Sequence, residues 1–206
     1  ILEDISPDGS YAVARGERGR SGYKPTRLLK IDLLNDGREL VLFDATAHSA
    51  AVSPDGARML FCRGGEQPFR DGYRGSRASR IQLYDQSDDS FQSVIAEPWE
   101  ARSPKWLADG KGFLCISNEG GRFNVVSCDL ATGSRKQLTF FKAGSVVTPA
   151  LSGDAKLMVF RVSRSIYRFK PLNGGEPEEI HLFTDEKLPD RYIRKEKVTG
   201  TSSAAF

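Results

Sequence analysis

The chain of 206 residues holds two histidines, His48 and His181, so any histidine-based proton shuttling must run through one of them. His48 is followed directly by Ser49, a base beside a hydroxyl, but it sits in a link between two sequence repeats, and the pattern suggests no acidic group to orient it. It reads as a solvated or turn-capping histidine. His181 falls in an outer strand and reads as solvent-facing. The carboxylates Asp85, Asp88 and Asp89 crowd a tight turn that lacks the spacing and central Gly of a calcium loop. Cys62, Cys115 and Cys128 stand in apolar runs without Cys-x-x-Cys spacing, which predicts buried, reduced thiols with no zinc site and no disulfide framework. The sequence contains no Gly-x-Ser-x-Gly elbow, no His-Glu-x-x-His and no phosphate-binding glycine loop. No catalytic residue, metal or cofactor is therefore assigned.

Charge is the remaining signal, and it is unevenly placed. Residues 15–27 carry Arg15, Arg18, Arg20, Lys24 and Arg27 against Glu17, a net of +4. Residues 63–80 carry Arg63, Arg70, Arg74, Arg77 and Arg80 against Glu66 and Asp71, a net of +3. The whole chain is only +3, too little to argue for nucleic acid, so the rest of it is acidic. Arginine dominates both segments, and its planar fork suits two-pronged binding of carboxylates. The bland counterpart, a solvated loop edge, has equal standing at this level.

The elements that would carry these loops follow from a repeat. Ile5-Ser6-Pro7-Asp8-Gly9, Val52-Ser53-Pro54-Asp55-Gly56, Trp106-Leu107-Ala108-Asp109-Gly110 and Leu151-Ser152-Gly153-Asp154-Ala155 are copies of one degenerate motif, with leaders 47, 54 and 45 residues apart. After each comes a short apolar run, then an alternating segment, a turn and a further short segment, all too short for helices and rich in β-formers. Four strands in about 45 residues are the mark of a propeller blade, a sheet that cannot bury its faces alone. The fold class is all-β, a β-propeller: four blades of four antiparallel strands over about 1–48, 49–102, 103–147 and 148–183. A linker over 184–200 and a first strand of a following propeller or blade over 201–206 complete the division. The Asp residues of the motif read as turn formers. In an up-and-down blade the tight turns share one face, whereas 15–27, 63–80 and 184–198 share the other. One face is trimmed and the other elaborated, and elaborated loops on a rigid frame are where binding usually resides.

The Ser-Pro-Asp-Gly repeat resembles the blades of TolB-like propellers, prolyl oligopeptidase relatives and tricorn-type proteases. The basic insertion Phe69-Arg70-Asp71-Gly72-Tyr73-Arg74-Gly75-Ser76-Arg77-Ala78-Ser79-Arg80 leading into Ile81-Gln82-Leu83-Tyr84-Asp85 resembles one in a late blade of the six-bladed propeller of bacterial tricorn-like proteases. Asn118-Glu119-Gly120-Gly121-Arg122-Phe123-Asn124-Val125 and Asn173-Gly174-Gly175-Glu176-Pro177 follow in the same order. The resemblance implies the last four blades of that propeller, attached to a serine peptidase whose catalytic domains lie outside this chain. The expected role is gating or recognition of peptides, with Arg18, Arg20, Arg70, Arg74 and Arg77 as the peptide-binding rim. Expected partners are peptides, the remaining domains of the same polypeptide and further copies of the chain, with neither nucleic acid nor membrane. The compartment expected is cytoplasmic, with periplasmic as the alternative. A TolB-like interaction scaffold is the competing function.

Overall fold

A computed structural model describes residues 1–17, 26–65, 73–95 and 99–183. The linker and the extra strand expected over 184–206 lie outside the described residues.

Among the described residues sixteen strands form four four-stranded sheets, each antiparallel and in chain order. Blade 1 holds β1 (Leu2–Ile5), β2 (Tyr11–Glu17), β3 (Thr26–Asp32) and β4 (Glu39–Val41); blade 2 holds β5 (His48–Val52), β6 (Arg58–Arg63), β7 (Arg80–Asp85) and β8 (Ser90–Ile95). Blade 3 holds β9 (Ala101–Trp106), β10 (Gly112–Ser117), β11 (Asn124–Asp129) and β12 (Arg135–Gln137). Blade 4 holds β13 (Val146–Leu151), β14 (Met158–Val162), β15 (Ser165–Phe169) and β16 (Glu178–Ile180). The four expected blades are thus present as a propeller. No helix occurs among the described residues, and none is long and apolar enough to cross a membrane.

The repeat motif closes each first hairpin by one mechanism. Backbone bonds run from Gly9 to Ser6, Gly56 to Ser53, Gly110 to Leu107 and Ala155 to Ser152, and the donor residue adopts φ of 57 to 74°. Glycine takes that conformation without cost, and only the last copy forces an alanine into it. The motif aspartates work as turn formers. Asp8 accepts Ser10 N–H, Asp55 accepts Ala57 N–H, Asp109 accepts Lys111 N–H and Asp154 accepts Lys156 N–H. These bonds favour the ionised form, and the carboxyls of Asp8 and Asp154 are lowered to about 2.

Three apolar cores fill the three junctions between consecutive blades. Tyr11, Val13 and Leu28 of blade 1 meet Met59, Phe61 and Tyr84 of blade 2. On the other face of blade 2, Leu60, Cys62 and Ile81 meet Trp106, Phe113 and Cys115 of blade 3. Leu114, Ile116 and Val125 then meet Met158, Phe160 and Phe169 of blade 4. Successive residues of one strand serve opposite junctions, as the two-residue period of a strand requires. All three cysteines are buried and free of disulfides; the thiols of Cys115 and Cys128 share a hydrogen bond at 3.9 Å. Trp106 is buried in this packing, whereas Phe140 is 63% exposed. β12 stops at Gln137, three residues before Phe140, and the neighbouring Phe141 packs against Phe160 and Tyr167.

Each innermost strand is bulged at the same level. Pairing slips between Leu2 and Asp4, between His48 and Ala51, opposite Leu114–Ile116 on β9, and between Val147 and Ala150. At that level Ser49, Ser103 and Thr148 have φ of 53, 52 and 50°. A bulge leaves one residue unpaired and re-aims its neighbours. This places the side chains discussed next around the starts of the inner strands.

Candidate functional site

The starts of β5 and β9, the ends of β2 and β6 and the segment 73–80 lie at one end of the blades, the face expected to be elaborated. Of the five arginines expected to form the peptide-binding rim, Arg18, Arg20 and Arg70 lie outside the described residues. Arg74 and Arg77 are described, and both are exposed. Arg74 lies over the indole of Trp99, 4.6 Å from the ring centroid, a stacking that orders a long side chain. Arg77 contributes its carbonyl to Gly65 N–H at 2.7 Å, which draws the two ends of the insertion together. Arg80, at the start of β7, donates to the carbonyls of Ser79 and Trp99. Two cations counted in the first basic loop are engaged: Arg15 with Glu3 at 2.9 Å and Arg27 with Asp44 at 2.6 Å. The positive excess on this face is correspondingly smaller than the sequence count.

His48 is not simply solvated. Its Nε2 lies 2.6 Å from the Gly64 carbonyl, so Nε2 carries the proton and Nδ1 accepts from the Ser49 hydroxyl at 3.0 Å. Burial is the main cause that lowers its pKa; Arg15 and Arg102 add to it, against the Gly64 bond and Glu3. Ser49 shares its left-handed backbone with Ser103 and Thr148, which follow Arg102 and Val147 rather than a histidine. The conformation therefore belongs to the repeating bulge and does not mark Ser49 as a nucleophile.

The charged pair of greatest consequence was not singled out by the sequence. Glu100 is 1% exposed and receives Arg102 Nε at 3.0 Å and Nη2 at 2.6 Å, both on Oε1. The same oxygen accepts Ser79 N–H at 3.1 Å, while Glu100 Oε2 is buried with no protein partner. Arg102 lies 4.4 Å over the Phe123 ring, and the Glu100 backbone bonds Asn118 in both directions. The one available signal was the Glu-x-Arg alternation entering an inner strand where blade 4 has Ser145-x-Val147.

His181 follows β16 directly and is exposed. Asp85 and Asp88 accept from Ser87 and Ser90, and Asp89 accepts from Tyr84 O–H, so the acidic cluster is occupied in building its turn. No group of three or more potential metal ligands occurs among the described residues. Among the described residues, two clefts are found on the trimmed face. The larger, about 400 Å³, is lined by Tyr11, Lys30, Asp32 and Arg38 among others. There Lys30 sits 4.0 Å from the centroid of the Tyr11 ring and Arg38 pairs with Asp36.

No protein-family model and no curated protein matches the chain. Solved structures do. TolB from Acinetobacter baumannii matches with a TM-score of 0.67 at 22% identity, over 87% of this chain and 42% of its own. A putative TolB from Agrobacterium tumefaciens matches with a TM-score of 0.67 at 23% identity, over 89% and 62%. The fold is a TolB-like β-propeller. The tricorn protease is also similar, with a TM-score of 0.53 at 20% identity, over 88% of this chain and 22% of its own. The chain spans less than two thirds of the length of either TolB structure, and identities this low carry the architecture alone.

Proposed function

We propose that this propeller is a non-catalytic region of a tricorn-like peptidase that recognises peptides through their terminal carboxylates for a protease domain elsewhere in the polypeptide. Four consecutive antiparallel blades in chain order fit that placement. The observation that carries the reading is Arg74 held over Trp99, beside Arg77, at the closed end of the 63–80 insertion. An ordered guanidinium loses less freedom on binding a carboxylate than a free one, and its fork matches both oxygens. The likeness to the tricorn protease supports the peptidase context at the level of architecture. The compartment we propose is the cytoplasm, with the periplasm as the alternative; three free, buried thiols suit a reducing environment.

A second reading, an interaction scaffold of the TolB kind, is favoured by the higher TM-scores of the two TolB structures. One comparison separates the two. Binding of free-acid and C-terminally amidated peptides is measured for the wild type and for a variant with Arg70, Arg74 and Arg77 all changed to Ala. The peptide reading expects tighter binding of the acid, lost in the triple variant and weakened by salt. Each exposed contact is worth roughly 0–1 kcal/mol, so single Arg→Ala changes should do little. Equal treatment of acid and amide by the wild type would leave the scaffold.

A further inference from the structure

Both ends of the 63–80 insertion are tied to the inner strands. At its entry the Gly64 carbonyl accepts from His48 of β5. At its exit Ser79 N–H donates to Glu100 Oε1, and the Ser79 carbonyl accepts Ala101 N–H of β9 at 3.1 Å. Entry and exit meet through Gly65 N–H and the Arg77 carbonyl. They meet without slack: a Cβ on Gly64 would lie 2.7 Å from the Ala78 carbonyl oxygen, and one on Gly65 would lie 2.7 Å from Ser79 Cβ.

The exit tie depends on a carboxylate that is costly to bury. Glu100 and Arg102 have side chains only 1% and 10% exposed. Apolar residues of similar volume generally serve stability as well as a buried ion pair, so stability does not account for this one. An apolar pair could not accept the Ser79 N–H at a fixed point. Nor would a lone Glu100 do so, because the two guanidinium bonds are what hold in place the oxygen that the Ser79 N–H meets.

We propose that the Glu100–Arg102 pair is a positioning device, with Arg102 orienting Glu100 through two charge-assisted bonds so that it fixes the exit of the insertion, and with it Arg74 and Arg77, against β9. The role of those arginines in binding peptides rests on the function proposed above; their placement does not.

Amide hydrogen exchange of the 206-residue chain, read at Ser79 and Gly65 and at β10, tests this without any peptide. In Glu100→Gln, which keeps the shape and loses the charge, exchange at Ser79 and Gly65 should rise about tenfold or more while β10 stays protected. In Glu100→Met/Arg102→Met the melting temperature should return to within a few degrees of the wild type while Ser79 and Gly65 remain unprotected. Wild-type protection of the two amides in either variant would overturn the proposal. So would global unfolding of Glu100→Gln, which would make the pair a plain prop of the fold. Peptide discrimination measured in parallel can fail without altering the exchange result.

Discussion

At the scale of single residues, His48 joins a buried position to a titration near neutrality. Its folded-state pKa is depressed, chiefly by burial, below the ordinary value of about 6.5 that it regains on unfolding. The unfolded chain therefore binds more protons as the pH falls. The stabilisation from a neutral His48 is complete above that ordinary value and is lost progressively as the pH drops towards the folded-state one. Carboxylates such as Asp8 and Asp154, lowered to about 2, change charge in a more acidic range. Wild-type stability in urea should therefore decline between about pH 7 and pH 5. In His48→Gln, whose amide can still donate to Gly64, that part of the decline should flatten. Parallel curves for the two proteins would show that His48 titrates as freely when folded as when unfolded.

At the scale of elements, the inner-strand bulge is the feature with the clearest local cost. Thr148 is β-branched, exposed and at φ 50°, a region that L-residues other than Asn and Gly enter at a penalty. Thr148→Asn should raise stability by about 1 kcal/mol, seen as a higher denaturant midpoint at unchanged slope. A lower midpoint would mean that the threonine makes contacts worth more than the strain. Neither the bulge nor this strain was legible in the sequence, because both arise from pairing between strands. The blades themselves were legible, since Ser-Pro-Asp-Gly turn chemistry and two-residue alternation are local. The trimmed turns and elaborated loops followed from strand order. The Glu100–Arg102 pair and the His48 bond to Gly64 were hidden for the opposite reason: their partners stand on other strands or at other loop ends, and no spacing in one sequence brings them together. The count of basic residues also misled in part, because Arg15 and Arg27 have acidic neighbours only in space.

At the scale of the whole molecule, four blades make three junctions and leave two faces of opposite kind. Pairing puts Val159 beside Arg168 and Arg161 beside Ile166 on the face of blade 4 turned away from blade 3. In the repeat, Val159 takes the place held by Leu60 in blade 2 and Leu114 in blade 3, which the following blade covers completely. On blade 1, Ile5 is 49% exposed at the place that Val52 and Trp106 fill in buried junctions. The two faces are thus the two halves of one inter-blade junction, and among the described residues no core joins them. On blade 4 the apolar Val159 and Ile166 are interleaved with Arg161 and Arg168, and on blade 1 Ile5 stands open; uncovered apolar side chains of this sort invite association. Sedimentation velocity of the 206-residue chain should show concentration-dependent association, and Val159→Lys should reduce it while leaving the melting temperature nearly unchanged. The same change at Leu60 or Leu114 should unfold the protein, because even truncation of a buried leucine to alanine costs about 2–5 kcal/mol. If Val159→Lys proves as disruptive as Leu114→Lys, the face of blade 4 is already covered within the chain. The repeat then closes on itself.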